Sequence, residues 1–204
     1  MVSQADSKRV RARLARAALA ALGGWRYVGE VPAVKQGVCL AFPHTDNMDG
    51  VLLLLLAQSV GLPISWMVKD SWGRGVLGPL VRGAGGVLID RSKANGMVGQ
   101  MVEAFARADE LFLFIPPEGT RGYTDYWKSG FYRIAIGANV PVMPGFLDYS
   151  TKTGGVGPPL AMTGDVRADM DRIRAHYGPN AAAMAKDPRK VGPIRLREEE
   201  AKAP

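Results

Sequence analysis

Apolar residues in this chain gather in short runs separated by helix-length stretches, and that alternation is the first guide to its fold. Runs at residues 38–42, 64–68, 87–89, 111–115 and 140–147 have the length of strands. Several are apolar at nearly every position, as strands buried on both faces are. Between them, residues 47–60, 96–108 and 131–138 fit helices. Strands alternating with helices predict a single α/β domain with a central, mostly parallel sheet flanked by helices. In open sheets of this class ligands gather at the carboxyl ends of the strands. The loops that follow the apolar runs are therefore where chemistry is expected.

The flanks differ from this middle. Residues 3–22 read as an amphipathic helix, with Val10, Leu14, Ala17 and Ala21 in one stripe and Arg9, Arg13 and Arg16 largely opposite. Such a helix either lies on a membrane or packs on its own domain. Residues 52–56 are leucine throughout, and a helix apolar all round is expected in the core. Residues 180–204 mix alanine, proline and glycine with a charge run at 195–200, so little apolar surface is expected there and partial disorder follows. The predicted organisation is a basic N-terminal helix at 1–22, the α/β domain at 23–178 and a polar tail at 179–204.

Composition narrows the function classes. A chain of 204 residues suits one domain with a substantial core. Its one cysteine, Cys39, sits in an apolar run and reads as a small buried hydrophobe, which suits the reducing cytoplasm. With two histidines, one cysteine and no clustered ligand spacing, no zinc site is expected. The basic N-terminus lacks the apolar core and cleavage site of a secretory signal and is expected to be retained. The longest strongly apolar run, residues 51–57, is far short of the roughly 20 residues that span a bilayer, so no transmembrane helix is expected. A formal charge of +7 and a pI near 9.7 favour anionic partners: phosphorylated substrates, acidic lipid headgroups or nucleic acid. Nucleic acid is not expected, because neither a recognition module nor aromatics interleaved with the basic residues are found.

The segment Pro43-His44-Thr45-Asp46-Asn47-Met48-Asp49 joins the first run to the leucine-rich helix. A general base near neutral pH is most easily made from an imidazole oriented by a carboxylate. Residues five apart on a continuous helix are about 140° apart, so His44 is expected outside the helix. With Asp46 as N-cap, Asp49 falls at the third helical position, where side chains lean back toward the N-terminus and His44. The same residues also fit a carboxylate capping box with His44 as an ordinary loop residue, and this segment alone does not decide between the two.

Three further segments follow in order. Gly85-Gly86-Val87-Leu88-Ile89-Asp90-Arg91 ends an apolar run in an acid/base pair. Leu111-Phe112-Leu113-Phe114-Ile115-Pro116-Pro117-Glu118-Gly119-Thr120-Arg121 ends another in an acidic turn with an arginine, and Val140-Pro141-Val142-Met143-Pro144-Gly145 follows a helix-like stretch. With the His-x4-Asp segment, this ordered set closely resembles the four sequence blocks of the glycerophospholipid acyltransferase family, whose members include enzymes that acylate lysophosphatidic acid. The similarity extends through Tyr126-Trp127-Lys128-Ser129-Gly130-Phe131 and covers most of residues 20–178, nearest to a short bacterial branch that ends with Thr163-Gly164-Asp165 and Asp169-Met170. Pro43 stands before His44 where many members carry asparagine, which leaves the catalytic spacing intact.

The resemblance implies a glycerol-phosphate acyltransferase-like fold and an enzyme that moves a fatty acyl group from acyl-CoA or acyl-carrier protein to the hydroxyl of a lysophospholipid or glycerol-phosphate-like acceptor. It implies His44 as the base, with Asp49 fixing its tautomer, and the acceptor hydroxyl itself as nucleophile, so no acyl-enzyme is needed. It assigns the acceptor phosphate to Arg91 and to the Glu118-Gly119-Thr120-Arg121 turn, with Glu118 orienting Arg121 or a substrate hydroxyl. Lys128 is a further candidate for phosphate contact. No cofactor beyond the acyl donor is expected, and the setting is the inner face of the cell membrane, reached peripherally. Trp66, Met67, Trp72 and Met97 are expected in the core, with an acyl-chain groove as the alternative. His176, near a helix end, receives no catalytic role.

Overall fold

The structure is a computed structural model that describes residues 4–73, 78–83, 85–90, 92 and 96–200. Its elements in chain order are α1 (Gln4–Ala21), β1 (Arg26–Tyr27), β2 (Gln36–Phe42), α2 (Met48–Ser59), β3 (Trp66–Lys69), α3 (Gly78–Gly83), β4 (Gly86–Ile89), α4 (Gly96–Arg107), β5 (Leu111–Ile115), α5 (Gly130–Ala138), β6 (Val142–Asp148), β7 (Thr153–Val156) and α6 (Val166–Tyr177), with short 3-10 turns between and after them.

Alternation along β2 explains the layering. Val38, Leu40 and Phe42 enter one buried cluster together with Leu111, Leu113 and Ile115 of β5, and that cluster is closed by Met101 and Phe105 of α4, Phe131 and Ile134 of α5, and Met170 and Ile173 of α6. On the other face Ala41 meets Leu52, Leu53 and Leu56 of α2 and Leu19 of α1. Cys39 packs there with Phe112, Phe114 and Met143. Each large apolar side chain so buried contributes about 1.5–3 kcal/mol, which makes this sandwich the main source of stability. Cys39 is fully enclosed, and burial pushes its thiol far above the ordinary range.

The main sheet runs β1-β7-β6-β2-β5, and all its pairings are parallel except β6 with β7. Ser65 extends it: its backbone exchanges hydrogen bonds of 2.8 Å with Phe112 and Phe114, bringing the parallel pair β3 and β4 alongside β5. The predicted mostly parallel sheet flanked by helices is thus found. The strand expected at 64–68 starts at Trp66, and β1 and β7 were not anticipated. The reason is chemical: β7 is Thr-Gly-Gly-Val, and a Cβ on Gly155 would lie 2.2 Å from the Val28 carbonyl oxygen. This strand gains its place by close backbone approach, which a search for apolar runs does not detect.

Two expectations about the flanks need correction. In α1 the residues that pack are Ala15 and Leu19, each 2 % exposed, whereas Val10 and Leu14 of the predicted stripe are 53 % and 66 % exposed. Helix α1 lies against α2, and Arg16 Nε donates to the Ser59 carbonyl at 3.0 Å. The tail also buries more than expected. Leu196 is fully enclosed, Ala181 and Ala185 are buried, and the backbone N–H of Trp127 donates to the Arg195 carbonyl at 2.8 Å. Elsewhere Met67 is half-buried against the core as expected, while Met97 is exposed.

Candidate active site

Register decides what meets. Leu40 of β2 sits beside Ile115 of β5, and Phe42 beside Phe146 of β6, so the chain leaves all three parallel strands at one edge of the sheet. The loop after β2 carries His44, the turn after β5 carries Glu118 to Arg121, and Tyr149 follows directly on β6.

Asp49 is the hub. Its side chain is 1 % exposed, and Oδ2 accepts the backbone N–H groups of Thr45 at 2.7 Å and Asp46 at 2.8 Å while lying 3.4 Å from His44 Nδ1. Asp46 Oδ1 in turn accepts the N–H of Met48 at 2.8 Å. The two carboxylates thus bind backbone amides of the turn, as in a capping box, and the same Asp49 oxygen faces the imidazole. Helix α2 starts one residue later than the spacing predicts, with Asn47 rather than Asp46 at the N-cap position. Burial works against ionisation of Asp49, but the nearby His44 imidazole, the Tyr149 hydroxyl and the two amides outweigh it and hold the carboxyl below its usual range. At 3.4 Å the two side chains are within ion-pair distance, but the buried His44 Nδ1 has no hydrogen-bond partner among the described residues.

Glu118 forms the second connection. It is 2 % exposed, and its Oε1 accepts the backbone N–H of His44 at 3.1 Å. That bond ties Glu118 to the loop that holds the imidazole. Burial, helped by the negative charge of Asp49, pushes the Glu118 carboxyl from 4.5 up to about 8. Its Oε2 is buried without a partner.

His44, Pro116, Gly119, Thr120, Arg121 and Gly122 line one open pocket of about 490 Å³. Gly119 has φ +67°, and a Cβ there would stand 2.9 Å from Cγ of Lys128, whose stem crosses the turn. The Lys128 N–H donates to the Pro117 carbonyl at 2.7 Å, which fixes that crossing. His44, Asp49, Glu118, Gly119, Thr120, Arg121 and Lys128 are thus gathered at one sheet edge. Arg91 lies outside the described residues. Among the described residues no group of three or more His, Cys, Asp or Glu side chains converges in the manner of a metal site.

Sequence reasoning missed two parts of this region. The Tyr149 hydroxyl donates to Asp49 Oδ1 at 2.5 Å across 100 residues of chain. The tail braces the His44 loop from outside: Lys186 Nζ reaches Asp46 Oδ2 at 3.0 Å, and Lys190 Nζ donates to the Thr45 carbonyl at 3.3 Å. Neither is encoded in a local motif.

A family model described as Acyltransferase matches residues 25–147, more than half of the chain, and the match contains His44, Asp49 and the Glu118-Gly119-Thr120-Arg121 turn. The crystal structure of the 1-acyl-sn-glycerophosphate (LPA) acyltransferase PlsC from Thermotoga maritima is similar in fold, with a TM-score of 0.58 at 15% identity over 85% of this chain and 79% of that one. No curated protein matches the chain. An ordered set of motifs, the convergence of the His44 and 118–121 segments at one end of the parallel strands, and a family match spanning the set agree, and the chain belongs to the acyltransferase family.

Proposed function

We propose that this enzyme moves a fatty acyl group from acyl-CoA or acyl-carrier protein to the hydroxyl of a lysophospholipid, lysophosphatidic acid-like, or of a glycerol-phosphate-like acceptor. The observation that carries the reading is His44, partnered by Asp49 at 3.4 Å, in the same pocket as Gly119, Thr120 and Arg121. Asp49 keeps the imidazole proton on Nδ1 and leaves Nε2 free to accept the acceptor's hydroxyl proton. The alcohol oxygen bonds to the thioester carbonyl carbon, the carbon–sulfur bond breaks, and the departing thiolate takes the proton back from the imidazolium. No acyl-enzyme forms.

The guanidinium of Arg121 suits the acceptor phosphate because its planar fork donates two parallel charge-assisted bonds. Lys128 adds a flexible cation beside Gly119, and the family resemblance adds Arg91. Membrane contact at the cytoplasmic face fits the exposed Val10 and Leu14 of α1, the exposed Met48 and Val51 at the start of α2 beside the His44 loop, and the exposed Arg9, Arg11 and Arg13. No described helix is long and apolar enough to cross a membrane. The direct test is release of CoA thiol from palmitoyl-CoA with and without lysophosphatidic acid. Release that accelerates at least tenfold with the acceptor, with phosphatidic acid as product, supports the reading; equal release in both makes the enzyme a thioester hydrolase.

A further inference from the structure

We infer that Tyr149 is a positioning residue for the proposed His44–Asp49 pair, acting through the Asp49 oxygen that faces away from the imidazole. The inference rests on the dyad reading above and extends it. Tyr149 lies two residues beyond the segment matched by the family model.

An aspartate carboxylate turns easily about its last bond, since that torsion has broad wells. In Asp49 both oxygens are engaged, but unequally. Oδ2 takes two backbone amides and approaches Nδ1 of His44, whereas among the described residues the side-chain hydroxyl that reaches Oδ1 is that of Tyr149, at 2.5 Å. With that bond in place, rotation of the carboxylate breaks contacts at both ends. Without it, Oδ1 is buried and unsatisfied, and turning the group to share the amides between its oxygens becomes the cheapest remedy. That rotation carries Oδ2 away from His44.

Tyr149 is itself held where such a role requires. Its ring stands edge-on to Trp25 at a centroid distance of 4.9 Å, and its backbone N–H donates to the Met184 carbonyl at 2.8 Å. The hydroxyl is thus delivered by a packed ring and a tethered backbone, independently of the helix that carries Asp49. Burial, reinforced by donation to the Asp49 carboxylate, holds the Tyr149 phenol far above its ordinary range, in accord with its role as donor. Removing only the hydroxyl keeps the ring against Trp25.

The experiment measures kcat and KM with palmitoyl-CoA and lysophosphatidic acid for the wild type, Tyr149→Phe, Asp49→Asn and the double variant, each corrected for folded fraction by urea denaturation. Tyr149→Phe is expected to lower kcat about tenfold with KM within twofold. In the Asp49→Asn background the same change is expected to cost less than twofold, because a residue acting through Asp49 has nothing left to position. A Tyr149→Phe kcat within twofold of wild type, or losses that multiply in the double variant, overturns the inference while the dyad stands. If Asp49→Asn itself leaves kcat unchanged, the dyad reading falls and the inference falls with it.

Discussion

The backbone N–H of His44 donates to Oε1 of Glu118 across 3.1 Å, so the loop carrying the proposed base is tied to the turn carrying the proposed phosphate site. These segments are 74 residues apart in sequence and adjacent because β2 and β5 pair in parallel register. A displacement of either turn therefore moves both halves of the pocket together. A misplacement of a reacting group by one ångström costs about a hundredfold in rate, which is the scale on which such a tie matters.

Glu118 gives a pH signature. Its carboxyl titrates near 8 in the folded chain against 4.5 ordinarily, so between those values the folded state holds a proton that the unfolded state has released. Stability from this group falls as pH rises through that window and is level above it. Glu118→Gln keeps an oxygen for the His44 N–H and removes the titration. Urea denaturation at pH 5, 6.5 and 8 is expected to show the variant gaining on the wild type as pH rises; a constant difference would contradict the burial argument.

Arg121 tests the phosphate site. Arg121→Ala is expected to raise KM for lysophosphatidic acid about 10- to 100-fold, the worth of a charge-assisted bidentate contact of about 1.5–3 kcal/mol. Arg121→Lys is expected to recover only part of this, since an ammonium lacks the planar fork. Steady-state kinetics with the acceptor varied provides the measurement, and an unchanged KM would move the phosphate elsewhere.

Leu196 tests the tail. It is fully buried and its backbone bridges to Trp127, so Leu196→Ala is expected to lose about 2–4 kcal/mol of stability. A fall in the urea midpoint with an unchanged slope gives the readout. A loss below about 0.5 kcal/mol would mean that the tail does not pack as described.

What the sequence disclosed follows from the range of each interaction. Residues 111–115 are apolar throughout because β5 is covered on both faces, and the predicted bounds coincide with the strand. His44 and Asp49 were legible because five residues across a strand-to-helix turn form a local geometry. Tyr149 was not, because its contact with Asp49 is closed by the pairing of β2 with β6, which no spacing along the chain expresses. Helix α1 shows a different limit: its apolar stripe established a helix, yet close packing on α2 selected the face with Ala15 and Leu19. The tail was misjudged because its buried residues, Ala181, Ala185 and Leu196, are scattered singly and form no apolar run that the sequence would display.

The most direct test is His44→Ala with palmitoyl-CoA and lysophosphatidic acid, with folding checked by circular dichroism. A positioned general base is worth about 10²- to 10⁴-fold, so kcat is expected to fall by that factor while the spectrum and acceptor binding are kept. Turnover within tenfold of wild type in a folded variant would remove His44 from the chemistry and contradict the account.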